Sequence, residues 1–172
     1  MNGPEIRRLS SADAILYRDI RLEALKLAPE AFSSTFAKEN SEPLTWFASR
    51  LGDSVVFGAF AGAELLGIAG FFRQQGQKMA HKGVLVGMYV RPDARRAGLG
   101  RRLVEAVIGH ACHHVEILQL TVVSGNDAAR RLYQRLGFVE YGIERNALKA
   151  GADYCDEVLM AKFLFADQAA RS

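Results

Sequence analysis

The chain has too few cysteines to be built around disulfides. Its 172 residues contain two, Cys112 and Cys155, and such a pair is not the framework that small secreted domains use. We therefore expect reduced thiols and a cytoplasmic protein. No uncharged apolar run approaches the roughly 18 residues of a membrane-spanning helix, and the N-terminal MNGPEIRRLS lacks the apolar stretch of a secretory signal. These absences predict a protein without a membrane partner.

Excess charge of one sign is also missing. The 22 basic and 19 acidic residues leave a formal net charge of +3, although the pI is near 9.0. Proteins that bind a polyanion concentrate a larger positive charge, so any basic site in this chain must be local. A hydrophobic content of 49%, with no low-complexity tract, predicts one folded domain over residues 1–172.

What is present is an alternation of strand-like and helix-like segments. Ser10 and Asp13 form a capping-box pattern at the start of the first helix, and Pro29 ends it. The residues from Pro29 to Pro43 are predicted as a polar connection. Period-2 and period-3.6 patterns predict strands at 5–9, 54–61, 64–72, 81–90, 116–123, 138–149 and 154–165, and helices at 11–27, 43–51, 98–112 and 126–137. This order predicts an α/β fold with a central mixed sheet.

The most unusual segment is VRPDARRAGLGRRLVEAV, residues 90–107, which holds five arginines and two closely spaced glycines. It lies where a strand gives way to a helix, so several backbone N–H groups and the positive end of a helix dipole are available to an anion. Gly98 and Gly100 let that anion approach the backbone. A Walker A loop is excluded because no Gly-Lys-Ser/Thr occurs, and a G-x-G-x-x-G fingerprint fails at Leu103.

Two ligands remain for this basic segment, a nucleic acid and a phosphorylated cofactor. Asp93 and Glu105 interrupt the run of arginines, and no aromatic platform accompanies it. The cofactor is therefore favoured and no nucleic-acid partner is expected.

Two motifs carry a resemblance to a known family. Arg95 to Gly100 reads R-x-x-G-x-G, and residues 126–142, NDAARRLYQRLGFVEYG, are similar to N-x-x-A-x-x-[LF]-Y-x-x-x-G-F. Both patterns, and the tail YCDEVLM at 154–160, resemble the GNAT superfamily of N-acetyltransferases. The resemblance implies a mostly antiparallel mixed sheet of about seven strands flanked by about four helices, with a splay between the fourth and fifth strands.

The resemblance also implies a ligand and its contacts. The ligand is acetyl-CoA, no metal is expected, and the backbone near Met88 and Val90 would polarise the thioester carbonyl. The acetyl group would pass by direct attack in a ternary complex to a primary amine of a small molecule or a peptide. The remaining cofactor-binding residues implied are Arg95, Arg96, Ala97, Gly98, Leu99, Gly100, Arg101, Asn126 and Ala129.

Tyr133 is implied as the catalytic acid that protonates the CoA thiolate. From spacing alone, Tyr133 is equally a core tyrosine, and Asn126 is equally a helix cap. The general base stays open, because HKGVLVGMYV at 81–90 has no carboxylate. Replacements acting through water, each more typical of a surface residue, are His81, Glu116, Asp153, Asp156 and Glu157. The missing carboxylate leaves a second hypothesis open, a non-catalytic acyl-CoA-binding domain.

The acceptor is the least determined part. The connection at 33–43, with Phe32, Phe36 and Trp46, either shapes an acceptor pocket or is a solvated loop on buried aromatic anchors. Glu39, Glu42 and Asp53 could attract a cationic amine, but scattered surface acids fit solubility equally well. Cys112-His113-His114 matches no zinc spacing and is interpreted as structural. A homodimer is expected by family analogy only.

Overall fold

A computed structural model describes residues 3–165. These residues form five α-helices and seven strands, together with 3-10 turns at Ser11–Asp13, Pro29–Ala31 and Pro92–Ala94. The strands are β1 Glu5–Arg8, β2 Val55–Ala61, β3 Glu64–Arg73, β4 Lys82–Val90, β5 Ile117–Val123, β6 Val139–Ala150 and β7 Asp153–Phe163. The helices are α1 Ala14–Leu27, α2 Phe36–Asn40, α3 Leu44–Asp53, α4 Leu99–Ala111 and α5 Asp127–Arg135.

The seven strands form one sheet in the order β1-β2-β3-β4-β5-β7-β6. It is mostly antiparallel, and β4 and β5 form its parallel pair. That parallel ladder joins Lys82–Val84 to Ile117–Gln119, the first three residues of each strand, and both strands continue beyond it. The predicted α/β class and the predicted sheet are confirmed.

The Cα positions group into two compact units. The first contains the described residues up to Phe72 together with Val86–Val107, and the second contains Arg73–Leu85 and the residues from Ile108 onward. In the first unit, α1 and α3 pack on β2 and β3 around Phe47, which is 0% exposed. In the second unit, β7 pairs with both β5 and β6.

Local signals placed most element boundaries correctly. The capping box at Ser10 and Asp13 is present, Gly62 has the positive φ of 59° that the β2–β3 turn requires, and Gly137 has a φ of 90° just after α5. The connection between Pro29 and Pro43 was predicted only as a polar segment, with no helix assigned to it. It contains α2, whose first turn is capped by the hydroxyl of Thr35 accepting from the Lys38 N–H at 3.3 Å.

Across residues 3–165, no helix is both long enough and apolar enough to cross a membrane.

Candidate functional site

The strand β4 bends at Gly87, just before the segment expected to face the thioester, and continues to Val90. Gly87 has a φ of 61°, whereas a regular strand residue has a strongly negative φ. This rotation changes the directions of the Gly87 carbonyl and of the following Met88 N–H. Beyond the bend, the Tyr89 side chain is buried while Met88 and Val90 are half-buried. The bend therefore gives the backbone at 88–90 an orientation that a flat strand would not have.

The loop between β4 and α4 is shaped by two left-handed residues. Arg96 and Gly98 both have a φ of 72°, and Ala97 between them does not have a positive φ. Alternation of this kind turns successive backbone N–H groups toward one side and makes a concavity for an anion. A Cβ built on Gly98 has no heavy atom within 4 Å, so the space on the side-chain side of Gly98 is open.

Residues 95–98 are exposed, whereas the helix that follows is anchored in the core. Leu99, the first residue of α4, is 2% exposed, and Gly100 after it is half-buried. Leu99 can therefore offer a ligand its backbone but not its side chain. Burial of Leu99 fixes the start of α4, and with it the helix N–H groups that face the loop.

The arginines of this segment are not equivalent. Arg95 donates from Nε to the carbonyl of Val90 at 3.0 Å, and Arg91 lies 3.5 Å from the carboxylate of Glu23. Arg101 pairs with Glu105 at 2.8 Å, with side chains 69% and 44% exposed. An exposed pair of this type contributes little, so an arriving phosphate can compete for Arg101.

In the second unit, Asn126 caps α5. Its Oδ1 accepts from the Ala129 N–H at 3.2 Å, which satisfies one of the free donors of the first turn. The helix-cap interpretation of Asn126 is therefore confirmed. The N–H group that it caps belongs to Ala129, another residue of the sequence motif. Asn126 is exposed and Ala129 is half-buried.

Tyr133 faces inward from α5. It is 5% exposed, and its ring packs edge-on against Phe138 with centroids 5.8 Å apart. The Tyr133 carbonyl accepts from the Phe138 N–H at 3.0 Å. Burial raises the pKa of the Tyr133 hydroxyl, because the phenolate would be poorly solvated. Tyr133 therefore holds its proton at neutral pH, as a proton donor must.

The candidate bases lie in different environments. Asp156 joins β6 to β7, accepting from Arg145 at 2.7 Å and from the Asn146 N–H at 2.8 Å, and these bonds lower its pKa. The pKa of half-buried Glu157 is raised, first by burial and then by the nearby Glu144 carboxylate, against a hydrogen bond from Thr121. Of these two carboxylates, Glu157 is the one whose pKa is shifted in the direction that favours accepting a proton.

The remaining three candidates lie at strand ends. The His81 carbonyl accepts from the Glu116 N–H at 2.8 Å, and Asp153 begins β7. Glu116 and Asp153 are exposed, and His81 is half-buried.

The cysteine–histidine segment after α4 shows no ligand geometry. The Cys112 thiol donates to the Gly109 carbonyl at 3.1 Å, and His113 and His114 are exposed. Within residues 3–165, no three His, Cys, Asp or Glu side chains are grouped to hold a metal ion.

One charged pair in the first unit was missed by sequence reasoning. Glu39 is not a surface acid, as the sequence suggested, but is 1% exposed on α2. It accepts from Arg21 of α1 at 2.9 Å (Nε to Oε2) and 2.8 Å (Nη2 to Oε1). Although burial opposes ionisation, the hydrogen bonds and charge of Arg21 hold the pKa of Glu39 below its usual value. Glu39 therefore carries a neutralised charge and does not present it to a substrate.

A model described as the acetyltransferase (GNAT) family matches residues 21–138 of this chain. A ribosomal protein bS18-alanine N-acetyltransferase of Salmonella typhimurium is 37% identical over 86 residues, which are 49% of this chain and 58% of that protein. The chain thus matches somewhat over half the length of that relative. An L-methionine sulfoximine/L-methionine sulfone acetyltransferase of Pseudomonas paraeruginosa is 30% identical over 66% of this chain and 72% of its own length.

The fold is shared with a solved structure as well. An acetyltransferase of the GNAT family from Streptococcus pneumoniae superposes with a TM-score of 0.83 at 25% identity, covering 94% of this chain and 99% of that one. The similarity therefore extends over nearly all of both chains.

Proposed function

The chain belongs to the acetyltransferase (GNAT) family, and from that premise we propose that it transfers an acetyl group from acetyl-CoA to a primary amine. The observation that carries the proposal is the loop at 95–101. Its left-handed residues at 96 and 98 and its open space above Gly98 fit a pyrophosphate held by backbone N–H groups at the start of α4.

The proposed chemistry gives each implied group a role. The loop amides bind the pyrophosphate, Arg95, Arg96 and Arg101 supply counter-charge, and the backbone at Met88–Val90 stabilises the oxyanion that forms when the amine attacks the thioester carbonyl. Tyr133 protonates the departing thiolate, and Asn126 and Ala129 at the start of α5 contact the cofactor. The reaction is direct transfer within a ternary complex: the amine nitrogen bonds to the acetyl carbon, the C–S bond to CoA breaks, and the proton of the amine leaves through water. Acetyl-CoA is a cosubstrate.

The acceptor class is proposed more coarsely. One relative is named for an alanine of a ribosomal protein and another for methionine sulfoximine and methionine sulfone, so the names cover a protein acceptor and amino-acid derivatives. We propose a small-molecule or peptide amine as the partner of this chain, with no nucleic acid or membrane. The chain is further proposed to act in the cytoplasm as a single domain, in keeping with two cysteines that form no disulfide, and a homodimer is proposed by family analogy.

An amine panel tests the activity. The protein is mixed with acetyl-CoA and, in turn, free amino acids, methionine sulfone, polyamines and a short peptide beginning with alanine, and thiol release is followed. We expect release that depends on the amine and saturates with it. Binding of acetyl-CoA without release for any amine would contradict the enzyme and favour the non-catalytic acyl-CoA-binding domain.

A further inference from the structure

The Arg21–Glu39 pair joins three helices of the first unit. Glu39 on α2 accepts two hydrogen bonds from Arg21 on α1, and Arg50 on α3 approaches it at 4.0 Å. The aromatic rings of Phe32 and Trp46 lie 4.9 Å from the Arg21 guanidinium and 4.7 Å from the Arg50 guanidinium, respectively. The segment between α1 and α3 is therefore fixed by charge as well as by apolar packing.

Stability alone is a weak reason for such a pair. The side chains of Arg21 and Glu39 are 9% and 1% exposed, so both charges lose most of their hydration. Apolar side chains of similar volume often replace buried ion pairs without loss of stability. The pair is therefore better explained by a geometric role than by its contribution to stability.

The third side of the guanidinium faces the bend in β4. Arg21 uses Nε and Nη2 for Glu39, and its Nη1 lies 3.3 Å from the position that a Cβ on Gly87 would occupy. The guanidinium thus fills the side-chain space of Gly87, at the residue whose φ of 61° redirects the Met88 N–H. The two hydrogen bonds to Glu39 fix the orientation of the guanidinium, and this orientation keeps Nη1 against Gly87.

We propose that Arg21 and Glu39 are positioning residues, which hold the bend at Gly87 so that the backbone at 88–90 is oriented for the thioester carbonyl. This inference rests on the proposed function. Neither side chain transfers a proton or touches the acetyl group: Glu39 orients Arg21, and Arg21 supports the strand. Loss of the pair should therefore lower kcat. The KM for acetyl-CoA should stay nearly unchanged, because the pyrophosphate loop is not altered.

The test compares two ion pairs of the first unit. The variants are Arg21→Lys, Glu39→Gln and the apolar double variant Arg21→Met/Glu39→Leu. The control is Arg7→Met/Asp13→Asn, which removes the bidentate ion pair formed at 2.8 and 3.0 Å beside the start of α1 but leaves an acceptor at 13 for the Ser10 N–H. The readouts are kcat, the KM for acetyl-CoA, the melting temperature and amide hydrogen exchange at residues 86–90.

We expect the apolar double variant to melt within about 4 °C of the parent, with kcat lower by ~10-fold or more, KM within about twofold and faster exchange at 86–90. Arg21→Lys should lose less kcat than the double variant, and the control should keep both kcat and the exchange pattern. If the double variant does not fold, the two single variants carry the same readouts.

A folded double variant with unchanged kcat and unchanged exchange at 86–90 would overturn the positioning role. If the parent protein itself transfers no acetyl group, the proposed function fails. The exchange data then decide by themselves whether the pair holds the bend.

Discussion

The two segments proposed to bind acetyl-CoA are built in opposite ways. The loop at 95–101 depends on its backbone, since residues 95–98 are exposed and the left-handed φ values of Arg96 and Gly98 set its shape. The block at 126–138 depends on side chains, with Asn126 capping α5 and Tyr133 buried against Phe138. Holding an anion requires many N–H groups, whereas donating a proton requires one shielded hydroxyl. Changes of backbone conformation should therefore impair the function of the loop at 95–101. Removal of a single side-chain atom should impair the function of the block at 126–138.

The largest effect is expected for Tyr133→Phe. It removes one oxygen and leaves the ring that packs on Phe138, so folding should be preserved while the proton donor is lost. We expect kcat to fall by ~100-fold and the affinity for acetyl-CoA to stay nearly constant. Steady-state thiol release and calorimetric titration measure the two quantities.

The matched control for this change is Tyr141→Phe in the same unit. Tyr141 lies on β6, where its hydroxyl accepts from Gln119 at 3.2 Å, and it has no role in the proposed chemistry. Equal rates for Tyr133→Phe and the parent protein would remove Tyr133 from the mechanism.

The buried hydroxyl also predicts an alkaline limit to stability. Burial raises the pKa of Tyr133 above the ordinary value near 10. Below that value, the hydroxyl is protonated in both the folded and unfolded chains, and its contribution to stability is complete. As the pH rises from 10 toward the folded pKa, only the unfolded chain ionises, so stability falls by up to about 1.4 kcal/mol per pH unit.

Tyr133→Phe should therefore lose less stability than the parent above about pH 10, as measured by urea unfolding at several pH values. The stability of the variant still falls at high pH because of Tyr89. Burial and the hydrogen bond to Glu23 raise the pKa of Tyr89 to about 12. Parallel curves for the parent and the variant would show that Tyr133 is not shielded from water.

Gly98→Ala tests the backbone of the loop. Alanine at a φ of 72° costs about 1–2 kcal/mol, so the loop must either hold that strain or change shape. We expect the KM for acetyl-CoA to rise by ~10-fold while kcat at saturation changes little. Steady-state kinetics with varied acetyl-CoA measures both.

Gly109→Ala is the control in α4. A Cβ there also has no heavy atom within 4 Å, but no positive φ is involved. It should leave the KM unchanged and stabilise the helix by up to about 1 kcal/mol. Equal KM values for the two variants would show that the left-handed turn at Gly98 is not needed.

The element positions of these two segments could be predicted because each depends on local signals. Glycines between a strand and a helix predicted the loop, and an asparagine at the start of a helical segment predicted the cap. The bend at Gly87 was not foreseen, since HKGVLVGMYV contains nothing that separates a packed glycine from one with a positive φ.

The Arg21–Glu39 pair was missed because its partners are 18 residues apart and no local pattern joins them. A signal did exist. Arg21 lies one helical turn from Tyr17 on one side and from Leu25 on the other, so the helical period places it on the apolar face of α1. A charge on that face requires a buried partner, and the polar segment after Pro29 was the nearest source of one.

A comparison of Arg96→Gly with Arg96→Ala separates conformation from charge in the loop. Both variants lose the guanidinium, but only glycine adopts the observed φ of 72° without strain. We expect Arg96→Gly to be more stable than Arg96→Ala by about 1 kcal/mol, as measured by urea unfolding. Equal stabilities would mean that the loop rearranges when its arginine is removed. If the charge of Arg96 governs binding, both variants should lose acetyl-CoA affinity equally. If the shape of the loop governs binding, Arg96→Ala should bind acetyl-CoA more weakly than Arg96→Gly.

The smallest effect is expected at the cap of α5. Asn126→Ala removes the acceptor of the Ala129 N–H and should cost about 1 kcal/mol in unfolding free energy, whereas Asn126→Asp keeps an acceptor at that position.

The pair of variants also separates two roles of Asn126. If it only caps the helix, Asn126→Asp should bind acetyl-CoA as the parent does, and Asn126→Ala should bind nearly as well. If its side chain contacts the cofactor, Asn126→Asp should weaken binding although the helix stays capped, because a carboxylate replaces an amide beside an anionic ligand. Calorimetric titration and unfolding curves of both variants distinguish these roles. They show whether the second segment binds the cofactor, as the first is proposed to do, or only holds the helix that carries Tyr133.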